Sequence, residues 1–453
     1  MQKLLKKQKE LFRSGRTRPI PFRIEQLNKL KQAVIQYDEA LVVALKKDLN
    51  KPEFEAYTTE IGYVLQSIDH TVKHLEKWSK EKHVKVPFFV LPSTSSIRYE
   101  PYGTVLVIAP FNYPFQLLIE PLIGAIAAGN TAVLKPSEYT QNVEAVILKM
   151  FSEFFDEDYI AVVTGGREVT TELIHSKFDY IFFTGSQNVG KVVMKAAAEN
   201  LVPVTLELGG KSPVIVHEDA NIQVAVKRIV WGKYINAGQV CVAPDYIYVH
   251  KSIEAEFISE VLKTIIEYYG PLPQNSPDYC RIISQKQLSR LIDIIDQNKV
   301  IHGGQYDLEQ LYLAPTVMTG VTWDDAIMQD EIFGPVMPIM TYDSIEEVVD
   351  IITSKDKPLA FYVFSESEIV QNYLIDQIPF GGGCINDTIL HVASPHLPFG
   401  GIGTSGMGSY HGEDSFRTFS HQKSILKHNT KINHGLMFPP YGKKINLIRK
   451  IFK

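Results

Sequence analysis

The stretch TVLVIAPFNYPFQLLIEPLIGAIAAGNTAVLKPSE, residues 104–138, determines the fold class. An apolar run at 104–109 is followed by a helix-like segment at 115–128 and a second apolar run at 131–134. Fully apolar strands joined by a helix are typical of parallel strands with both faces covered. The stretch therefore predicts a β-α-β unit of an α/β protein.

The same alternation extends along the chain on both sides of this unit. Residues 1–80 have a helical pattern, short apolar runs and helices continue to 207, and a new series begins near Gly209-Gly210 and runs to about 390. We expect two Rossmann-like parallel-sheet lobes and a small β element that includes a projecting hairpin. The predicted parts are a first lobe (1–83 and 103–207), a second lobe (208–395), the β element (84–102 and 396–430) and a basic tail (431–453).

Charge and cysteine content exclude several classes of protein. Forty-six Lys and Arg against 51 Asp and Glu give a net charge of −5, which argues against nucleic acid as a partner. Cys241, Cys280 and Cys384 are too few for a disulfide framework or a Cys-rich zinc site, so no metal is expected. The charged N-terminus does not resemble a signal peptide, and no apolar run is long enough to span a membrane. The sequence predicts a cytoplasmic protein.

A polar group follows the second strand of the opening unit, in Lys135-Pro136-Ser137-Glu138. Ligands of open parallel sheets bind beyond the carboxyl ends of the strands, so Lys135 and Glu138 could hydrogen-bond the hydroxyls of an adenosine ribose. The alternative is a helix start that is capped by Ser137 or Thr140. The pattern alone leaves both interpretations open.

The segment FFTGSQNVGK, residues 182–191, places Gly185 and Gly190 at a predicted strand-to-helix junction. Backbone N–H groups at a helix N-terminus favour phosphate oxygens, and a missing Cβ permits their close approach. The spacing is not the G-x-G-x-x-G of dinucleotide folds, so ordinary turn chemistry is the alternative.

Cys241 and Glu207 are the candidate catalytic residues. Cys241 lies in a loop after a predicted helix, and a partly ionised thiol is the strongest nucleophile among side chains near neutral pH. Glu207 ends an apolar strand, where desolvation would raise its pKa towards that of a general base. The alternatives are a small buried apolar role for Cys241, which we also expect for Cys280 and Cys384, and a salt bridge from Glu207 to Lys211.

Seven motifs occur in one order along the chain, and together they are far more specific than any of them alone. They are PFNYP (110–114), LKPSE (134–138), FFTGS–VG (182–190), LELGGKSP (206–213), GQVC (238–241), EIFGPV (331–336) and LPFGGIGTSGMGSYHG (397–412). In this order they resemble the aldehyde dehydrogenase superfamily from about residue 10 to residue 430. The short N-terminus, the Tyr-Pro after Asn112 and the ending Tyr410-His411-Gly412 are most similar to the class-three, fatty-aldehyde type.

The resemblance implies a role for each matching residue. Cys241 would be the nucleophile, the Asn112 amide and the Cys241 N–H the oxyanion hole, and Glu207 the base that activates water. The implied cofactor residues, for NAD or NADP, are Lys135, Ser137 and Glu138 at the adenosine ribose, Gly185, Ser186 and Gly190 at the pyrophosphate, and Glu331 and Phe333 at the nicotinamide ribose. The implied substrate pocket consists of Tyr63, Tyr113, Leu117, Trp231, Ile389 and Phe399.

These roles imply an NAD(P)-dependent aldehyde dehydrogenase that oxidises medium- or long-chain aliphatic or other apolar aldehydes to acids. The first lobe would bind NAD(P), the second would be catalytic, and the β element would bridge the subunits of a homodimer. Glu138 should repel a 2′-phosphate and so favour NAD⁺. In the tail, Ile445, Ile448 and Phe452 can share a helical face among basic residues, which suits weak peripheral contact with anionic lipid, although a frayed or dimer-docked tail is the alternative.

Three other functions use some of the same residues. A thiol-dependent esterase would need Cys241 and Glu207 but neither phosphate-binding pattern. A CoA-acylating or acyl-phosphate-reducing member of the superfamily would share the fold and the cysteine, but such enzymes generally lack the water-activating carboxylate. A catalytically dead scaffold would not be expected to retain Cys241, Asn112 and Glu207 together.

Overall fold

The computed structural model describes residues 1–432, 435 and 437–452. The predicted basic tail begins at 431, so Asn433, His434, Leu436 and Lys453 of that tail lie outside the described residues.

The helices fall mainly where the sequence has an apolar stripe at helical spacing. They are α1 (Gln2–Arg13), α2 (Ile20–Leu49), α3 (Glu53–Ala56), α4 (Gly62–Trp78), α5 (Gln116–Ala128), α6 (Gln141–Phe154), α7 (Arg167–Ile174), α8 (Gln187–Glu199), α9 (Ile222–Tyr234), α10 (Glu254–Tyr269), α11 (Gln285–Asp293), α12 (Ile345–Thr353), α13 (Glu368–Gln377), α14 (Gly412–Thr418) and α15 (Lys444–Ile451). A π-helical segment, Tyr57–Ile61, joins α3 to α4, and a short 3-10 helix, Ile235–Gly238, follows α9.

The strands are short and mostly buried. They are β1 (Lys82–Val84), β2 (Ser93–Pro101), β3 (Thr104–Ile108), β4 (Thr131–Lys135), β5 (Ile160–Val162), β6 (Tyr180–Gly185), β7 (Val204–Leu208), β8 (Pro213–Val216), β9 (Tyr246–His250), β10 (Val300–His302), β11 (Tyr306–Asp307), β12 (Tyr312–Leu313), β13 (Thr316–Met318), β14 (Val336–Tyr342), β15 (Ala360–Phe364), β16 (Gly382–Ile385), β17 (Gly406–Met407) and β18 (Ser420–His428).

Two mainly parallel sheets carry most of these strands. The first has the order β17-β7-β6-β3-β4-β5, and the second has the order β10-β13-β14-β9-β8-β15-β16. A separate antiparallel sheet, β1-β2-β18, contains the predicted hairpin, and β11 pairs with β12. The predicted α/β fold class is therefore confirmed.

The opening unit forms as its sequence predicts. All residues of β3 and β4 are buried and the two strands pair in parallel, with Val105 opposite Ala132. The α5 helix between them is buried from Leu117 to Ala128 and ends at Gly129, whose φ of +98° is a conformation that glycine adopts without strain. The carboxyl ends of β3, β4, β6 and β7 consequently lie along one edge of the sheet.

In the described part of the chain, no helix combines the length and the apolar character that crossing a membrane requires.

Candidate active site

A cleft of about 870 Å³ is lined by residues of both large sheets and their loops. Asn112, Glu207 and Cys241 all line it, although they are far apart in sequence. The volume lies within the range that small-molecule and cofactor sites occupy in proteins. The structure thus brings together the three side chains that the sequence singled out for chemistry.

Cys241 follows the short 3-10 helix and is partly exposed to the cleft. Burial, and after it the nearby Glu331 and Glu207 carboxyls, raise the pKa of its thiol to about 12, while the N–H groups of Cys241 and Val242 oppose the shift. Since the thiol holds its proton in this environment, the nucleophilic thiolate requires either a base or an added positive charge.

Glu207 lies near the end of β7, and its side chain is buried. Neither carboxyl oxygen has a hydrogen-bond partner among the described residues, and burial raises the pKa well above its usual value. The alternative salt bridge to Lys211 is wrong, because the Lys211 ammonium instead lies 2.5 Å from the Asp245 carboxylate. An unpaired carboxyl that lines a cleft can accept a proton from a water molecule there once it has given up its own proton.

Asn112 is fixed by hydrogen bonds on both of its polar ends. Its side-chain amide donates to the Gln239 carbonyl at 3.0 Å, which leaves its second N–H free to meet another acceptor. Its main-chain carbonyl accepts from the side-chain amide of Asn236 at 2.9 Å and from the Lys51 ammonium at 3.2 Å. Asn236 and Ala237 have positive φ angles of +51°, which turn the chain sharply just before Cys241.

The network below Asn112 was not anticipated from the sequence. The buried Lys51 ammonium pairs with the buried Glu60 carboxylate, whose other oxygen accepts the N–H groups of Phe115 and Gln116 where α5 begins. Glu55 accepts the N–H of Asn236 at 3.1 Å, and burial raises the Glu55 pKa to about 7. The sequence does not predict that these Lys and Glu side chains are structural, because such side chains usually face solvent.

The predicted phosphate-binding turn lies at the end of β6. Gly185 and Ser186 line the cleft, and the Ser186 hydroxyl accepts the N–H of Val189 as the N-cap of α8. Gly190 has a different role, because a Cβ there would lie 2.6 Å from a methyl group of Leu208. Gly190 therefore permits close packing of α8 on β7, whereas the first turn of α8 faces the cleft.

Lys135 ends β4, Ser137 and Glu138 follow it, and none of the three lines the described cleft. The Lys135 ammonium donates to the Pro136 carbonyl at 2.6 Å and to Glu138 at 3.2 Å. Thr140 is the N-cap residue of α6, as one alternative predicted, but its side chain makes no capping hydrogen bond. The first N–H groups of α6 instead donate to Asp48, at the end of α2.

Glu331 and Phe333 line the cleft opposite this edge of the sheet. The absence of a side chain at Gly209 makes room for the Glu331 carboxyl, because a Cβ there would lie 2.0 Å from one of its oxygens. Burial raises the pKa of Glu331 to about 8, while the N–H of Gly210 favours its charged form. Phe333, with φ of +48°, lies edge-on to Phe111 with the ring centres 5.8 Å apart.

The predicted substrate-pocket residues are distributed over several places. Leu117 lines the cleft, and Tyr63 lines a small separate cavity. Tyr63 and Phe399 meet through His411, whose ring centre lies 6.0 Å from that of Tyr63 and 5.3 Å from that of Phe399. Three residues line neither of the two described cavities, namely Tyr113 below the Lys51 ammonium, Trp231 on α9 and the buried Ile389.

The residues of the cleft fit a nicotinamide dinucleotide. The first turn of a helix, Ser186 at its N-cap and a small residue at Gly185 suit phosphate oxygens, and Phe333 supplies an apolar ring surface. The same cleft holds a thiol, an amide donor and an unpaired carboxyl, so it can form and then hydrolyse an acyl thioester.

Comparisons with known proteins agree with this chemistry. The sequence model of the aldehyde dehydrogenase family matches residues 1–425. A 4,4'-diaponeurosporen-aldehyde dehydrogenase of Staphylococcus aureus is 53% identical to this chain, and the match covers 98% of this chain and 97% of that protein. A dimeric, NADP-preferring aldehyde dehydrogenase of Mus musculus is 45% identical over 93% of each chain. A substrate-bound structure of AldH from Staphylococcus aureus, 52% identical, superposes with a TM-score of 0.98 and covers 100% of this chain and 99% of that one.

Proposed function

Because the chain belongs to the aldehyde dehydrogenase family, it oxidises aldehydes to carboxylic acids with NAD or NADP, and we propose that Cys241, Asn112 and Glu207 carry out this chemistry. The observation that supports the assignment is their meeting in one cleft, with both Glu207 oxygens unpaired.

The proposed mechanism assigns one task to each residue. After the Cys241 thiol has lost its proton to solvent, its sulfur bonds to the aldehyde carbon, and the carbonyl oxygen becomes an oxyanion that accepts the free N–H of Asn112 and the main-chain N–H of Cys241. NAD or NADP, when bound, would supply the hydride acceptor for oxidation of this adduct to a thioester. Glu207, in its ionised form, then takes a proton from water, whose oxygen attacks the thioester carbon. The carbon–sulfur bond breaks and releases the carboxylic acid and the Cys241 thiolate, to which Glu207 returns the proton.

We propose that the cofactor lies in the large cleft. Gly185, Ser186 and the first turn of α8 would bind its pyrophosphate, and Glu331 and Phe333 would hold the nicotinamide ribose. Gly190 would support this turn indirectly through the packing of α8 on β7. Lys135, Ser137 and Glu138 would hydrogen-bond the adenosine ribose, where the Glu138 carboxylate favours NAD⁺ by repelling a 2′-phosphate.

The proposed substrates are medium- or long-chain aliphatic aldehydes or other apolar aldehydes. The predicted pocket residues are aromatic or aliphatic, and the relative that is 53% identical is named for 4,4'-diaponeurosporen-aldehyde. A panel of alkanals of increasing length, with that aldehyde included, should give kcat/KM values that rise with apolar surface when assayed with NAD⁺ and NADP⁺ in parallel. Short polar aldehydes preferred over all long ones would contradict this proposal.

The same assay separates the related activities. Reduced cofactor formed from aldehyde alone identifies the dehydrogenase, whereas a strict requirement for CoA or phosphate identifies an acylating enzyme. Ester hydrolysis without any cofactor-linked oxidation would identify an esterase, and tight dinucleotide binding without turnover a scaffold.

We further propose a division of labour along the chain. Residues 1–83 and 103–207 would form the NAD(P)-binding domain, residues 208–395 the catalytic domain, and residues 84–102 and 396–430 the bridging element of a homodimer. The β1-β2-β18 sheet supports this, because it carries exposed apolar side chains at Phe88, Phe89 and Leu91 beside its strands. Light scattering at micromolar concentration should give twice the chain mass of 51.2 kDa, and a monomer would contradict the proposal.

We also propose weak peripheral membrane contact through the tail, in a cytoplasmic protein whose cysteines are free thiols. Of the predicted apolar face, Ile445 and Phe452 are at least half exposed and Ile448 is half-buried, on or beside the basic α15 helix, and the Phe452 ring lies 5.1 Å from that of Phe89. Anionic liposomes should therefore retain the full chain better than a chain that ends at Tyr441. Equal retention would contradict membrane contact.

A further inference from the structure

A second, much smaller cavity lies between α4, α5 and the segment before α14. Glu120 lines it, and Leu117, three residues earlier on the same face of α5, lines the large cleft. The cavity volume of about 10 Å³ is close to the space that one water molecule requires. The small cavity therefore lies about one turn of α5 from the wall of the large cleft.

Glu120 presents an unpaired oxygen in this place. Its side chain is 2% exposed, and Oε1 accepts the Ser67 hydroxyl at 2.8 Å. Oε2 has no hydrogen-bond partner among the described residues. Because an unsatisfied buried polar atom is costly, a partner that the protein chain itself does not provide is expected at Oε2.

His411 presents an unpaired ring nitrogen to the same cavity. It is 3% exposed, its Nε2 lies 3.4 Å from the Tyr63 hydroxyl, and its Nδ1 has no partner among the described residues. The His411 ring stacks on Phe399, and the main-chain N–H of His411 donates to the Ser415 hydroxyl at 2.8 Å. These contacts hold His411 at φ of +85°, a backbone conformation that is costly for a residue with a side chain.

The two unpaired atoms are complementary. Burial raises the pKa of Glu120 to about 7 and lowers that of His411 to about 3, so between these two values both side chains are mainly neutral. The Tyr63 hydroxyl donates to the Val392 carbonyl at 3.2 Å, which leaves its oxygen to accept an N–H from Nε2 of His411. Glu120 Oε2–H is then a donor without an acceptor, and His411 Nδ1 is an acceptor without a donor.

We propose that Glu120 and His411 form a binding site for one hydroxyl group, which accepts from Glu120 and donates to His411. The hydroxyl belongs either to an ordered water molecule or to the chain of an aldehyde substrate. A substrate hydroxyl rests on the proposed function, whereas an ordered water molecule does not require the protein to turn over any aldehyde.

The first arm of the test is a crystal structure of the free protein at high resolution. We expect one density peak within about 3.2 Å of both Glu120 Oε2 and His411 Nδ1. The peak should persist in Glu120→Gln, which keeps a donor in the cavity, and should disappear in Glu120→Leu and in His411→Phe. Thr264→Val is the matched control, because the Thr264 hydroxyl is also buried and unpaired but lines neither described cavity.

The second arm compares kcat/KM for pairs of aldehydes that differ by one chain hydroxyl. If the site takes a substrate hydroxyl, Glu120→Leu should lower the ratio of hydroxylated to parent aldehyde roughly fivefold to tenfold, while Glu120→Gln and Thr264→Val preserve it. A water peak with an unchanged ratio assigns the site to water. No peak in the wild-type cavity together with an unchanged ratio would overturn the proposal. If no aldehyde is oxidised at all, the proposed function fails, and the crystal structure alone decides the hydroxyl site.

Discussion

At the scale of single residues, the cleft holds three acidic groups that all retain their protons more strongly than usual. Burial raises the pKa of Cys241 to about 12 and that of Glu331 to about 8, and it raises the pKa of Glu207 well above its usual value. Each negative charge would also disfavour the others. Activation of the thiol and activation of water each require a proton transfer, and substitution tests whether Glu207 serves only the second.

Cys241→Ser and Glu207→Gln should fail at different steps. Cys241→Ser should abolish oxidation, because an unactivated hydroxyl is a weak nucleophile. Glu207→Gln should still form the thioester and release one reduced cofactor per active subunit, but its steady-state turnover should fall by about 10² to 10⁴. A stopped-flow trace of reduced cofactor, with a mass spectrum of the quenched enzyme, measures both effects.

An acyl adduct on Cys241 in the Glu207→Gln variant would support this order of steps. A variant with neither burst nor adduct would mean that Glu207 acts earlier, on the thiol itself. Undiminished turnover would remove Glu207 from catalysis.

At the scale of secondary-structure elements, Gly190 fixes the distance between α8 and β7. Gly190→Ala should destabilise the protein by about 1–3 kcal/mol, because its Cβ would lie 2.6 Å from a methyl group of Leu208. Adding Leu208→Val should recover part of this loss. Urea denaturation measures the free energy of unfolding of the single and the double variant.

Gly166→Ala is the matched control for Gly190→Ala. A Cβ at Gly166 meets nothing within 4 Å, so its free energy of unfolding should change by no more than about 0.5 kcal/mol. Equal effects at Gly166 and Gly190 would show that the contact with Leu208 is not the cause.

The junction of α2, the π-helical segment and α5 depends on a buried ion pair. Lys51→Met should destabilise the protein by about 3–5 kcal/mol, because Glu60 loses its counter-charge in a fully buried position. It should also lower kcat, since the Asn112 carbonyl loses the Lys51 hydrogen bond. Lys31→Met removes a partly exposed pair with Asp69 and should cost at most about 1 kcal/mol, so similar losses for the two variants would contradict this role of Lys51.

Elements whose own residues show an apolar pattern could be predicted from the sequence, whereas elements that form only through contacts with distant residues could not. The run at 131–134 became β4 with one residue added, because a buried strand is recognisable from its own apolar side chains. The two-residue β17 exists only through its pairing with Glu207 and Leu206 on β7. Likewise, Asp48 meets the start of α6 across 94 positions in sequence, a contact that no pattern around Asn142 indicates.

The candidate site divides in the same way. The motif order predicted that Cys241, Glu207 and Asn112 belong together, and the structure places all three along one cleft. The supporting groups, Lys51 and Glu55, were missed because their roles depend on contacts with Asn112 and Asn236, which are distant in sequence, and not on their neighbours in the chain.

At the scale of the whole molecule, buried groups of two kinds make stability depend on pH. Burial raises the pKa of Glu55 and Glu120 to about 7 from 4.5, so the folded protein binds more protons than the unfolded chain between these values and loses stability as the pH rises. Burial lowers the pKa of His391 to about 4 and that of His411 to about 3 from 6.5, so stability is lost as the pH falls through this range. The two effects oppose each other between about pH 4.5 and 6.5.

Above pH 6.5 only the carboxyl effect remains among these four groups, so the melting temperature should fall between pH 6.5 and pH 8. Glu55→Gln and Glu120→Gln each remove one titrating carboxyl and retain its shape, and each should make this fall smaller. Glu168→Gln, on the exposed surface of α7, is the control and should leave the fall unchanged. The measurement is a thermal melt at both pH values for the four proteins. A fall of the same size in all four would mean that neither buried carboxyl controls the alkaline loss of stability.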